Sequence, residues 1–208
     1  MQKNNLFLAN EIKINLIDLL VKKHLNPVLG NELLFSKNKR RADIVLLNNN
    51  KIIAFEIKGD TDDTRRLSSQ IRDYLSTFDE INIICTKKHL KRITCLIPNS
   101  VGMIIFDGKF KSIRKAKKNT RVTKENLIFF MRKSELLKNF KIGTTQDTTD
   151  EIRNKVARKC PLKTIKRVAF LSLQKRLTPI SKLFLKDKGV VTINDDLLTL
   201  TGEVGPIR

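Results

Sequence analysis

The sequence predicts an α/β fold: a mixed sheet covered by helices over residues 1–120, a basic helical unit over 121–188, and a tail or short hairpin over 189–208. Three observations predict it. The stretch NELLFSKNKRRADIVLLNNNKIIAFEIK contains three successive extended segments, the apolar run INIIC follows a helix-length crossover, and strand patterns stop beyond about residue 120.

Taken in order, Leu6, Ile12, Leu16, Leu19 and Leu20 fall near helical spacing, so an amphipathic helix is expected over residues 4–24, ending before Asn26-Pro27. Strands follow at roughly 31–36, 41–47 and 51–58, with an Asn-rich turn between the last two, as an antiparallel meander. Leu67, Ile71, Tyr74, Leu75 and Phe78 then share one helical face, and Asp60 to Asp63 are expected to supply its cap and first-turn acids. INIIC (81–85) reads as a buried strand able to lie parallel in the sheet. A basic helix near 87–95 and strands at 101–106 and 109–115 complete an αβββαβ(αβ) order. Helices are expected at 124–140, 148–159 and 162–176, and the neutral or acidic composition from Gly189 onward suggests a loosely attached hairpin or flexible end.

With 42 Lys and Arg against 21 Asp and Glu, the net charge is +21. Self-repulsion on that scale calls for an anionic partner. Nucleic acid fits best, because a basic surface gains affinity by releasing phosphate counterions. A membrane surface fits poorly, since the chain has no Trp and one Tyr to anchor it and its basic residues are spread throughout. No apolar run approaches the roughly 18 residues of a membrane span, and the acidic residues in the N-terminal apolar stretch argue against a signal peptide. A soluble, cytoplasmic protein is expected. Cys85, Cys95 and Cys160 lack any C-x-x-C pairing, which excludes a disulfide frame or zinc site and predicts reduced, mostly buried thiols.

The chemistry-bearing stretch is Asp43 in RADIVLL, followed thirteen residues on by Glu56 and Lys58 in AFEIK. Side chains alternate along a strand, so Glu56 and Lys58 share a face with Ala54 while Phe55 and Ile57 face the other way. If Leu47 pairs with Ile52, Asp43 sits opposite Glu56, with Cβ atoms about 5 Å apart. Whether the two share a face depends on turn parity. Two such carboxylates repel unless a cation lies between them, and magnesium prefers this hard-oxygen setting. Glu56 and Lys58 also interrupt an otherwise apolar strand, where charge is costly. The competing interpretation is a surface ion pair in a chain that is 30% charged.

These residues resemble a known family. The order of helix, meander with Asp43, Glu56-x-Lys58, helix and strand is similar to the PD-(D/E)XK, or restriction-endonuclease-like, nuclease superfamily. The run FEIKGDTDDTRRLSSQIRDYLSTFDEINIIC resembles one branch of it in its EIK, D-x-D, Arg-Leu, Gln and Tyr positions, and the likeness covers roughly residues 30–140. It implies a restriction-endonuclease-like αβββαβ core and a metal-dependent DNA endonuclease or nickase. Asp43, Glu56 and the Ile57 carbonyl would hold Mg2+, for which Mn2+ would substitute, and Lys58 would be the catalytic lysine. Ala42 stands where the pattern has Pro, a position without a chemical role.

Glu32 and Glu11 are both candidates for a further acid, with Glu32 preferred. Gln70 and Tyr74 lie one turn apart on the following helix as supporting residues. Arg41, Arg65 and Arg66 near the site, and Arg158, Lys159, Lys163, Lys166 and Arg167 in the helical unit, are the expected nucleic-acid contacts, with DNA favoured over RNA. The alternative is a catalytically silent nucleic-acid-binding or assembly module. Concerted double-strand cutting would require a homodimer.

Overall fold

Asn49 and Asn50 set the register on which the rest of the architecture depends. In the computed structural model, which describes residues 6–37 and 39–201, both adopt positive φ (49° and 59°). That is the two-residue hairpin turn whose twist matches that of its strands, and Asn tolerates it. It joins β2 (Arg40–Asn48) to β3 (Lys51–Lys58), pairing Asn48 with Lys51 and Leu47 with Ile52. The turn is thus one rung tighter than a four-residue turn from Asn48 to Lys51, in the register that aims Asp43 at Glu56.

β1 (Val28–Phe35) lies antiparallel on the outer side of β2, completing the expected meander. After α2 (Leu67–Leu75), β4 (Glu80–Cys85) runs parallel to β3; after α3 (Lys87–Leu96), β5 (Gly102–Phe106) runs parallel to β4. β6 (Phe110–Arg114) returns antiparallel and closes a six-stranded mixed sheet in chain order. The fold is therefore α/β with a mixed sheet.

The sheet has an apolar layer on each face. On one side α1 (Ala9–Lys23) packs Ile12, Leu16, Ile17 and Leu20 against Leu46, Phe55, Ile57 and Ile84. Residues 4 and 5 of the expected first helix lie outside the described residues. On the other side α2 packs Leu67, Ile71, Tyr74 and Leu75 against Ala54, Ile81 and Ile83. The helices α4 (Lys124–Ile128), α5 (Lys133–Phe140), α6 (Thr149–Lys159) and α7 (Leu162–Asp187) join this second layer. Leu127, Leu136, Ile152 and Ile165 belong to the same buried cluster as Leu33 and Ile83, so among the described residues the helical region shares the core of the sheet.

Five expectations are corrected. The acids at 60–63 do not cap α2, which has Arg66 at its N-cap and no acid in its first turn. Loop donors capture them instead: Asp60 accepts from Phe7 N (2.8 Å), Asp62 from Gly59 N (2.7 Å) and Asp63 from Arg65 N (2.8 Å). The segment 124–140 is broken at Phe129–Arg132 into α4 and α5. α7 runs on through Pro179 to Asp187, where a proline normally ends a helix. Tertiary contacts carry it, since buried Ser181 donates to Leu29 O (3.0 Å) and accepts from Leu29 N (2.8 Å) on β1.

Among the described residues the tail, finally, forms a helix and not a hairpin: α8 (Asn194–Thr201) buries Leu197 and Leu200, and buried Asn31 donates to Leu197 O at 3.1 Å and Thr201 Oγ1 at 2.6 Å. Residues 202–208 lie outside the described residues. Of the three thiols only Cys85 is buried; Cys160 is half-buried and Cys95 exposed. Among the described residues no helix is long and apolar enough to cross a membrane.

Candidate active site

The meander does not stay regular to its end. On β1, Leu29 belongs to the α1-side layer, whereas Leu33 and Phe35 belong to the α2-side layer. Strict alternation would keep all three on one face, so the phase changes between them, at Glu32, whose φ is +54°. That left-handed conformation is strained for a non-glycine residue. β2 changes phase at the same level. Val45 and Leu47 face the α2 side and Ile44 and Leu46 the α1 side, yet Ala42 faces the α2 side.

The ladders are interrupted there too. β1 and β2 pair at Asn31↔Ile44 and again at Leu33↔Ala42, skipping Glu32 and Asp43, and the β2–β3 ladder stops at Ile44↔Phe55. Where the next rung would be, the Asp43 carboxylate itself accepts the Ile57 N–H, with Oδ2 at 2.7 Å. The strands thus fork at Asp43, and the fork is reached from both faces.

From the α2 side come Glu56 and Lys58, both buried, with Lys58 Nζ 2.8 Å from Glu56 Oε1. Gln70 Nε2 donates to the same oxygen at 3.2 Å, and the buried Tyr74 hydroxyl donates to Glu56 Oε2. Tyr74 is a core residue and a site residue at once; the hydroxyl also reaches Arg41 O at 3.4 Å. Burial, then the charges of Glu56 and Asp43, hold its pKa well above the ordinary value. It remains a donor.

From the α1 side comes Lys13, whose side chain is 10% exposed, pairing with Glu32 and lying 3.9 Å from Asp43 Oδ1. Of the two candidate acids, Glu32 is the one that shares Lys13 with Asp43, while Glu11 is exposed.

Lys13 is the site residue that sequence reasoning missed. The signal was present: on α1 it is buried alongside Ile12, Leu16, Ile17 and Leu20, a charge inside the apolar stripe. Its position is set by the way α1 enters. Phe7 N donates to Asp60 Oδ2, and Asp60 N returns a bond to Phe7 O at 2.9 Å, clamping the start of the helix to the end of β3. Gly59 permits that approach, because a Cβ there would lie 2.5 Å from Ala9 N and 2.8 Å from Phe7 O.

Three carboxylates (Glu32, Asp43, Glu56) meet two ammonium groups (Lys13, Lys58) at the fork. The cost of the surplus negative charge falls on Asp43, the carboxyl least able to give up its proton. Its pKa is raised from 3.8 to about 7, first by burial and then by Glu56, against the opposing pull of the Ile57 N–H and Lys13. Among the described residues no group of three or more His, Cys, Asp and Glu side chains is arranged to hold a metal. Two carboxylates are nonetheless a usual protein contribution to a magnesium site. Among the described residues the cation paired with Asp43 Oδ1 is Lys13, at 3.9 Å, and Ile57, whose N–H faces β2, presents its carbonyl to the same neighbouring strand. The donor set fits a hard divalent cation.

The expected nucleic-acid contacts divide between two ends of the sheet. Arg41, Arg65 and Arg66 are exposed at the fork end, Arg65 being paired with Asp63 at 2.8 Å. Lys163, Lys166 and Arg167 instead line a cavity of about 610 Å³ beside Asn50, at the opposite end. Glu56 lies six residue steps along β3 from Asn50, roughly 20 Å at strand rise. Lys166 is tied to Asp79 at 2.5 Å, and Asp79 Oδ2 accepts Ile52 N at 3.0 Å, so its ammonium secures the start of β3. Arg158 and Lys159 are exposed in the last turn of α6.

A family model described as bacteriophage P4 protein cII matches residues 2–201. Protein cII of Enterobacteria phage P4 is 29% identical over 198 residues, covering 89% of this chain and 75% of that protein. Among solved structures, a protein of unknown function from Silicibacter pomeroyi aligns with 49% of this chain and 67% of its own, at 19% identity and a TM-score of 0.37, a likeness too loose to argue from.

Proposed function

This chain belongs to the bacteriophage P4 protein cII family, and from that premise and the chemistry of its strand fork we propose that it is a magnesium-dependent nuclease with a restriction-endonuclease-like core, hydrolysing phosphodiester bonds in DNA. The relative's name states no reaction, so the reading rests on residues. The observation that carries it is the fork itself: buried Glu56 and half-buried Asp43 brought together, with Asp43 raised to about 7 by desolvation and by Glu56. Perturbed carboxylates of this kind cluster at functional sites, and a bound cation would remove the penalty.

Asp43 Oδ1, Glu56 and the Ile57 carbonyl are the groups that would hold Mg2+ or Mn2+. When bound, the ion would lower the pKa of a water and offset charge building on the phosphate. Gln70 and Tyr74 fix the Glu56 carboxylate from the α2 side. Lys58, 2.8 Å from Glu56, stands where its ammonium can position the attacking water or stabilise the oxyanion. The exposed Arg41, Arg65 and Arg66 around the fork supply phosphate contacts that position the backbone without reading bases.

One observation favours a second reading. Both oxygens of Glu56 are already engaged, by Lys58, Gln70 and Tyr74, as in an ion pair needing no metal. In that case the chain is a nucleic-acid-binding or assembly module that retains the fold without cutting.

The test is incubation of supercoiled plasmid, single-stranded DNA and a branched junction with purified protein in Mg2+, Mn2+ or EDTA, beside Glu56→Gln and Lys58→Met. Metal-dependent nicking lost in both variants supports the nuclease. Salt-sensitive binding without cleavage in any metal supports the binding module.

A further inference from the structure

Lys13 reaches the fork from the face opposite Tyr74 and Gln70, and its ammonium pairs with two carboxylates, Glu32 and Asp43. Its Nζ pairs with Glu32 and sits 3.9 Å from Asp43 Oδ1, with the side chain 10% exposed. It is not a loose surface lysine that happens to fold inward. The helix that carries it is anchored by buried Ile12, Leu16 and Ile17, and its entry is clamped by the paired bonds between Phe7 and Asp60. Glu32 adopts its left-handed conformation where it meets this ammonium.

Resting on the metal assignment above, we infer that Lys13 closes the fork to a second divalent ion, so that the centre takes one cation and not two. In a two-ion phosphodiesterase site the ions lie roughly 3.5–4 Å apart. Here the carboxylate able to be shared is Asp43, with Glu56 serving one side and Glu32 the other. The Glu32 side is where Lys13 stands. A divalent ion held by Asp43 and Glu32 would have to displace that ammonium or accept it as a near neighbour, and like charges at that range repel strongly in a partly desolvated site. Lys13 is a positioning residue in this account: a fixed internal cation that neutralises Glu32 and leaves Asp43 for the ion on the Glu56 side.

The count of bound ions tests this directly, without reference to cleavage. Mn2+ is titrated into the full-length protein and followed by calorimetry and by the paramagnetic resonance signal of free Mn2+. Wild type, Lys13→Met, Lys13→Gln and Lys13→Met/Glu32→Gln are compared, each checked for folding by its melting curve. Lys13→Gln keeps a donor to Glu32 without the charge, so the test survives if the methionine variant fails to fold.

The expected result is one Mn2+ per wild-type chain, two in either single variant, with the second site at least tenfold tighter than any weak second binding to wild type, and one again in the double variant. Two ions in wild type, or one ion in a folded Lys13 variant, overturns the role of Lys13 and leaves the metal reading standing. No ion in wild type at millimolar Mn2+ overturns the metal reading and this inference with it.

Discussion

The two ends of the β2–β3 hairpin are both ringed by exposed cations, but they treat charge in opposite ways. At the turn end, Lys163 and Arg167 are exposed around an open cavity, and the one lysine drawn inward, Lys166, meets a single carboxylate, Asp79. The inward-drawn charge there is balanced one for one. At the fork end, three carboxylates meet two ammonium groups at low exposure, and Asp43 is pushed to about 7. On the proposed reading, net positive charge marks where a polyanion would rest, whereas unbalanced, partly buried charge marks where the chemistry would take place.

That contrast breaks most decisively at Glu56. Glu56→Gln is expected to lower metal-dependent cleavage by about 10³-fold or more, in line with the loss of a group at a reacting centre, while gel-shift affinity for the same DNA changes less than about threefold. If binding collapses as far as cleavage, the fork is a docking site and the distinction fails.

A large structural effect is expected at Gly59. Its missing Cβ lets the backbone at Phe7–Ala9 lie against β3. Gly59→Val should destabilise the fold by about 2–3 kcal/mol through overpacking, a fall of roughly 5–10 °C in Tm for a chain of this size. Gly189→Val, where a Cβ meets nothing within 4 Å, serves as the neutral control.

Asp43 gives an intermediate effect with a pH signature. Its carboxyl titrates near 3.8 when unfolded and about 7 when folded. Between those values the native state keeps a proton that the unfolded chain has released, so stability falls as pH rises through the window and the full penalty stands above it. In EDTA, Asp43→Asn should raise Tm above wild type by a margin that is small near pH 4 and largest above pH 7, while abolishing cleavage. A margin that does not grow with pH would mean that Asp43 is not the group carrying the surplus charge.

The smallest effect belongs to the turn end. Lys163→Ala with Arg167→Ala should weaken DNA binding by about tenfold at low salt and reduce the logarithmic salt slope by roughly 2. Cleavage at saturating DNA should not change. An unaltered salt slope would show that nucleic acid does not reach the turn end.

The fork was partly legible in the sequence. Glu56 and Lys58 stand out because charge interrupts an otherwise apolar strand, Asp43 by its register opposite Glu56, and Gln70 and Tyr74 because they share a helix face; all five meet around the fork. Lys13 was not read, because it arrives from a helix thirty residues upstream and helical spacing says nothing about which strand a helix will cover. The change of phase at Glu32 and Asp43 was hidden for a similar reason, since strand alternation assumes an uninterrupted ladder. α8 carries only a short signal: Asp196 Oδ2 accepts Ile193 N at 2.8 Å ahead of Leu197 and Leu200, within a Thr- and Val-rich stretch that reads as extended. The basic helices of α6 and α7 were identified as helices, but composition could not say that the start of α7 lies at the far end of the sheet from Glu56.

The paired change of phase also divides this hairpin into two stretches with different tolerance to insertion and deletion. Between Asp43 and the Asn49-Asn50 turn, removing one residue would exchange Ile44 and Leu46 for Val45 and Leu47 across the sheet, inverting both apolar layers at once. Beyond Asp43 toward the β1–β2 connection, Ala42 and Leu33 already sit on the shifted phase, so a one-residue change at Lys37 or Lys39 leaves the hairpin above it in register. Length variation in this region should therefore accumulate on the β1–β2 connection and stop abruptly at the carboxylate.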